Sequence, residues 1–182
     1  MVLEKIRGRV VRLPFDDVNT DVIAPSEFRM QIKENDRNLT ALRPYVMRDL
    51  RPGLDETTRP GDVFVVGKNF GSGSHREEAV RIFQVWGVQA VVTESAARLW
   101  FRNAIAAGLP VFELENATKL FDENEEIEID MREWQIRNLS RNAASHPVAR
   151  FPQTVMGILE AGGILPLLKS RMDAELRAKG AV

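Results

Sequence analysis

The chain has 182 residues, 44% of them hydrophobic and 28% charged, the balance of a folded domain with a substantial core rather than of a disordered chain. Its 25 basic side chains nearly cancel 26 acidic ones, and a formal charge of -1 supplies no basic surface for nucleic acid. Cysteine is absent and histidine occurs only as His75 and His146, which excludes disulfides, a cluster held by this chain's own thiolates and an ordinary zinc site.

Asp, Glu, Lys or Arg interrupts every apolar run before it reaches membrane-spanning length, and the opening MVLEKIRGRV lacks the apolar centre of a signal peptide. A cytoplasmic protein is therefore expected. Residues 7–13 (RGRVVRL) alternate loosely and are rich in valine, as an opening strand is. PFDDVNTD reads as a turn whose side chains cap backbone amides. VIAPSEFRM then gives way to QIKENDRN, and residues 31–39 are predicted to form an exposed, mobile loop. Residues 40–50 (TALRPYVMRDL) read as a helix that Pro44 begins or interrupts.

The middle of the chain carries the clearest pattern. Residues 62–67 (DVFVVG) form a short apolar strand, and KNFGSGSHR is a glycine-broken turn. A helix follows over 76–86, with Ala79, Val80, Ile82, Phe83 and Trp86 on one face and Gly87 closing it. Residues 88–93 are a second strand, 95–107 a second helix and 109–113 a third strand. This strand–helix alternation predicts an α/β fold with parallel crossovers. EEIEIDM and EWQIRNL alternate with period two around Arg132 and predict a β-hairpin on the rim. From about residue 151 a helical tail follows, broken by Gly162, Gly163 and Pro166 and ending as a charged helix at Lys179. Residues 1–182 are read as one domain. Trp86, Trp100 and Trp134 fall on predicted apolar faces, and His146 reads as exposed or packing.

The turn within GKNFGSGSHREEA (67–79) has the makings of a site. Gly71 and Gly73 permit close approach to the main chain, and Ser74 or a neighbour is expected to cap a helix starting near Arg76, with Glu77 and Glu78 in its first turn. Free amides, the positive helix end and the Arg76 guanidinium would converge on a carboxylate. A nucleotide loop needs Lys and then Ser or Thr after the second glycine, and a dinucleotide fingerprint needs Gly or Ala at position 76. Both patterns fail here. A plain strand-to-helix turn is the alternative reading.

The same segment resembles GKNFGCGSSREHA of the isopropylmalate dehydratase small subunits, a family similar to the swivelling C-terminal domain of aconitase. NTDVIAPSEF (19–28) is similar to the family's DTDxIIPxxF/Y, RPGDVFVVGKNFG to its PGDIIVAGKNFG, and SAARLWFRNAIAAGLPVFE (95–113) to its SFARIFYRNAINIGLPxxE. The resemblance implies an α/β swivelling β/β/α domain, a partner large subunit carrying a [4Fe–4S] cluster, and a dehydration–rehydration reaction on a small dicarboxylate. It places Ser74 as the catalytic base and Arg76 as the arginine that binds a substrate carboxylate and steadies Ser74. Arg29 falls at a substrate-contacting position of a specificity loop that includes Phe28 and Met30, or else is a solvated cation. Asn103 and Arg102 fall near the substrate, or else pack a helix. Asp21 orders the loop or is an ordinary turn aspartate. His75, Glu78 and Asn19 depart from the family's usual Ser, His and Asp. Homoaconitase, or another 2-hydroxy-dicarboxylate hydro-lyase, is the nearest alternative. A non-catalytic anion-binding module is the alternative from a different class.

Overall fold

The computed structural model describes residues 4–31, 36, 39–141 and 144–178, with only the backbone of 29–31. Most of the predicted 31–39 loop lies outside the described residues.

The long strand β1 (Lys5–Leu13) belongs to two halves of one sheet. Its second half, Val10 to Leu13, pairs in parallel with β2 (Val63–Val66). β2 pairs in parallel with β3 (Ala90–Thr93), and β3 with β4 (Val111–Glu113). Its first half, Lys5 to Arg9, pairs antiparallel with β5 (Glu126–Asp130). β6 (Gln135–Asn138) and β7 (His146–Pro147) complete the order β4-β3-β2-β1-β5-β6-β7. The short α1 (Thr20–Ile23) and α2 (Leu54–Thr57) lie between β1 and β2. α3 (Glu78–Val85) connects β2 to β3, and α4 (Arg98–Ala107) connects β3 to β4. α5 (Ala117–Leu120) precedes β5, and α6 (Gln153–Glu160) and α7 (Ile164–Ala178) follow β7.

Successive side chains of β2 and β3 point to opposite faces, and both faces are covered. Phe64, Val66 and Val91 meet Val80, Phe83 and Trp100 of α3 and α4. Val63, Val65 and Val92 meet Phe121, Ile127 and Ile129 on the other side. Burial on both faces is why these strands read as unbroken apolar runs. Trp86 and Trp100 lie in the first of these cores, and the Trp100 Nε1–H donates to the Ala79 carbonyl at 3.0 Å.

Several boundaries differ from those expected. Residues 40–50 form turns and one 3-10 turn (Arg43–Tyr45), not a helix. Pro44 lacks the N–H a helix needs, and Met47 adopts φ 49° so that its amide reaches the Val22 carbonyl at 3.0 Å. β5 sits inside the sheet beside β1, so only the later strands of that half approach the rim. Trp134 lies in the β5–β6 turn at φ 56°, half-buried against Phe151. Gly162 and Gly163 do break the tail, but Pro166 does not. It occupies the first turn of α7, where a missing N–H removes no intrahelical bond.

The antiparallel half is fastened by buried carboxylates on β5. Glu128 takes Arg7 at 2.6 Å, with Lys5 at 3.7 Å and Arg137 at 3.9 Å. Asp130 takes Lys5 at 2.8 Å and the amides of Arg132 and Glu133 at 2.9 and 3.1 Å. The Lys5 contact and then these amides lower its carboxyl from 3.8 to about 2. A depressed folded-state value adds stability above the unfolded value, and that stability is lost as pH falls toward 2. Asp130→Asn is therefore expected to be less stable at neutral pH and to flatten the decline in stability between about pH 4 and 2, as read from urea midpoints at stepped pH.

Candidate active site

The glycine turn lies beyond the C-terminal ends of the parallel strands, where open α/β sheets place their ligands. β1 and β2 end side by side, and the chain leaving each stays paired. The Asp17 amide donates to Lys68 O at 2.9 Å, the Gly71 amide to Val18 O at 2.7 Å and the Thr20 amide to Ser72 O at 2.8 Å. Side chains repeat the pairing, with Asp16 accepting the Lys68 amide at 2.7 Å and Asp17 accepting Asn69 Nδ2 at 2.8 Å. The loop after β3 holds the other side through Ser95, whose carbonyl and hydroxyl take the amides of Phe70 and Asn69.

Asn19 caps α1, its Oδ1 accepting the amides of Asp21 and Val22 at 2.9 Å each. The next residue, Thr20, is buried, and its Oγ1 accepts the Ser74 amide at 3.0 Å. The same Oγ1 lies 3.0 Å from Ser74 Oγ. Arg76 Nε donates to Ser74 Oγ at 2.9 Å. One Thr20 lone pair is taken by the Ser74 amide, so the Thr20 hydroxyl proton is available to Ser74 Oγ. In that orientation Ser74 Oγ accepts two hydrogen bonds, one of them from a cation.

The Arg76 side chain is only 15% exposed, and its Nη2 stands 2.6 Å from Asp21 Oδ1. This is a charge contact rather than an aligned hydrogen bond, and the buried Nη2 has no other acceptor among the described residues. The Arg76 contact and then the Ser26 hydroxyl hold the Asp21 carboxyl below the usual carboxylate range.

Ser74 does not cap a helix. α3 begins at Glu78, and its N-cap Glu77 makes no side-chain cap bond. Gly71 and Gly73, at φ 80° and 94°, carry the chain past Thr20 before the helix can start, and Thr20 takes the Ser74 amide. Charge support at Ser74 thus comes from Arg76 and Thr20 rather than from a helix end. Thr20 is the residue that sequence reading missed. The available signal was a β-branched hydroxyl directly after the capping Asn19.

The remaining predicted residues take different positions. Asn103 Nδ2 donates to the His75 carbonyl at 2.9 Å and so ties α4 to the turn, whereas Arg102 is exposed. The Phe28 ring stacks on Tyr45, centroids 3.5 Å apart, with Arg48 5.2 Å from the Tyr45 ring. The backbone of Arg29 and Met30 lies in the 3-10 turn Ser26–Gln31, and their side chains are outside those described. A cleft of about 310 Å³ lined by Asn19, Asp21, Tyr45 and Arg48 opens on one side. Another of about 340 Å³ is lined by His75, Glu77, Asn103 and Leu165. Ser74 lines neither and is exposed. Among the described residues no group of three or more His, Asp or Glu is placed to hold a metal ion, and no helix is long and apolar enough to cross a membrane.

Residues 1–117, which contain every residue of this site, match the aconitase C-terminal domain. The chain belongs to that family. Within it, the 3-isopropylmalate dehydratase small subunit of Aquifex aeolicus is 37% identical, over 94% of this chain and 98% of that protein. The methanogen homoaconitase small subunit of Methanothermobacter thermautotrophicus is 39% identical, over 88% of each. A crystal structure of 3-isopropylmalate dehydratase from Methanocaldococcus jannaschii superposes with a TM-score of 0.84 at 30% identity, over 96% of this chain and 99% of that one. The family's α/β fold, expected from the motifs, is the fold observed.

Gly71 shows how closely the site is built onto the core. A Cβ there would stand 2.2 Å from Trp100 Cγ, at a φ that side chains resist. Gly71→Ala is expected to cost about 2–4 kcal/mol in urea unfolding and to shift the tryptophan emission.

Proposed function

We propose that the chain is the small subunit of a two-subunit hydro-lyase that interconverts 2-isopropylmalate and 3-isopropylmalate by dehydration and rehydration in leucine biosynthesis. The observation that carries this reading is the Ser74 hydroxyl, exposed on the surface yet held from behind by Arg76 and Thr20. Family membership and relatives that are themselves named small subunits support it.

In this reading Ser74 Oγ acts as the base that removes the proton from the carbon beside a substrate carboxylate. A free serine hydroxyl is far too weakly acidic for that role. An oxyanion here would be stabilised by the Arg76 Nε–H and the Thr20 O–H, both held in place before substrate arrives. The Arg76 guanidinium also offers charge to the substrate carboxylate, and Asp21 keeps that cation in position. Asn103 fixes the His75 backbone beside the serine. Arg29, Phe28 and Met30 belong to the segment expected to distinguish substrates, with Arg102 at the exposed margin.

The [4Fe–4S] cluster implied by the family does not fit this chain's donors, because cysteine is absent. Its ligands would come from a large subunit docked over the exposed Ser74, and no step through the cluster is assigned to residues here. A second reading follows from the 39% identity to a homoaconitase small subunit, which brings a homocitrate-type substrate with the same serine chemistry.

Reconstitution with the large subunit, followed anaerobically by alkene absorbance, tests the proposal. Turnover of isopropylmalate is expected. Turnover of homocitrate alone selects the second reading, and no activity on either contradicts both. Ser74→Ala is expected to lower kcat by about 10³-fold or more while the two subunits still co-elute. Thr20→Val should lower kcat by about 10–100-fold, whereas Thr20→Ser, which keeps the donor, should stay within a few-fold of the original.

A further inference from the structure

The last helix carries an apolar row that the rest of the chain leaves uncovered. Leu165, Leu168, Met172 and Leu176 are 75%, 46%, 63% and 45% exposed. Their spacings of three, four and four residues set them in one stripe along α7. α7 packs against α4 and α6 through its beginning, where Ile164 and Leu167 are half-buried. From Leu168 to Ala178 every residue is exposed.

The charges beside the stripe are ordered. Lys169 and Asp173 lie along one flank, Arg171 and Glu175 along the other, each flank having its base four residues before its acid. A second α7 laid antiparallel about a two-fold axis at Met172 brings Leu168 opposite Leu176 and Met172 opposite itself. Such an axis returns each flank to its own side. Lys169 then meets Asp173 of the second copy, and Arg171 meets Glu175 of the second copy. The axial offset within each pair is two residues, about 3 Å, well inside side-chain reach. Asp173 and Arg171 each also stand two residues from their own copies, so each flank carries two unlike pairs against one like pair, and the apolar stripe with a net favourable charge order makes the helix complementary to itself.

We propose that α7 is a homodimerisation helix, pairing antiparallel with α7 of a second copy of this chain. The inference does not rest on the assigned reaction. Four apolar side chains from one helix are less than a standard interface provides, so the dimer is expected to be weak, with a dissociation constant in the micromolar range.

Sedimentation equilibrium on the full chain between about 1 and 200 µM tests this. The expected result is a concentration-dependent monomer–dimer equilibrium. Met172→Glu sets two like charges at the axis and is expected to raise the dissociation constant at least tenfold, with circular dichroism unchanged because the side chain is exposed. Lys169→Glu should also weaken association, and adding Asp173→Lys should restore it, since the swap recreates the opposite pairing. A chain that stays monomeric throughout overturns the proposal, as does a dimer unaffected by Met172→Glu. A monomeric chain in which Met172→Glu instead abolishes capture by the large subunit overturns it too, and assigns the stripe to that partner.

Discussion

Hydrogen bonds between the two loops that leave β1 and β2 are the contact on which the site depends. Both strands end at the same edge of the sheet, and their loops continue the parallel pairing through the Asp17, Gly71 and Thr20 amides. This pairing brings Thr20 beneath Ser74, although 54 residues separate them along the chain. Asn19 sets the direction of Thr20 by capping α1, and Trp100 supports Gly71 from the core side. The serine is exposed, but what positions it is buried.

The electrostatics follow from that placement. Arg76 is a largely buried cation with one nitrogen on Ser74 and another beside Asp21. Burying such a cation is costly unless a carboxylate balances it, and Asp21, on the same short helix as Thr20, does so. α1 therefore supplies both the hydroxyl behind the serine and the counter-charge to the arginine. The antiparallel half of the sheet keeps its own charges, with Glu128 and Asp130 of β5 facing Arg7 and Lys5 on the first half of β1. One strand thus carries the site at its C-terminal end and a buried ion cluster nearer its start.

The parts that were legible in sequence are those written locally. Apolar runs at 62–66 and 88–93, a helical face through Phe83, and paired glycines at 71 and 73 predict the middle of the fold and the place of Ser74 and Arg76. Positive φ at both glycines agrees with that reading. What was not legible depends on contacts distant in sequence. Thr20 looked like a turn residue because nothing nearby reveals that it lies under Ser74. The helix start was misplaced because Ser74 is a good cap by type, but its amide is taken by Thr20. Residues 40–50 have helical composition, yet Pro44 and the tie from Met47 to Val22 divert them. In each case a tertiary hydrogen bond overrode a local preference.

The central claim is that Thr20 and Arg76 act on the same oxygen of Ser74. A double-mutant cycle on kcat of the reconstituted enzyme, with Thr20→Val and Arg76→Lys made singly and together, measures this most directly. Donors that serve one oxyanion are expected to be coupled, so the double variant should lose clearly less than the product of the two single losses. Losses that simply multiply would contradict a shared oxygen and would separate Thr20 from the chemistry of Ser74.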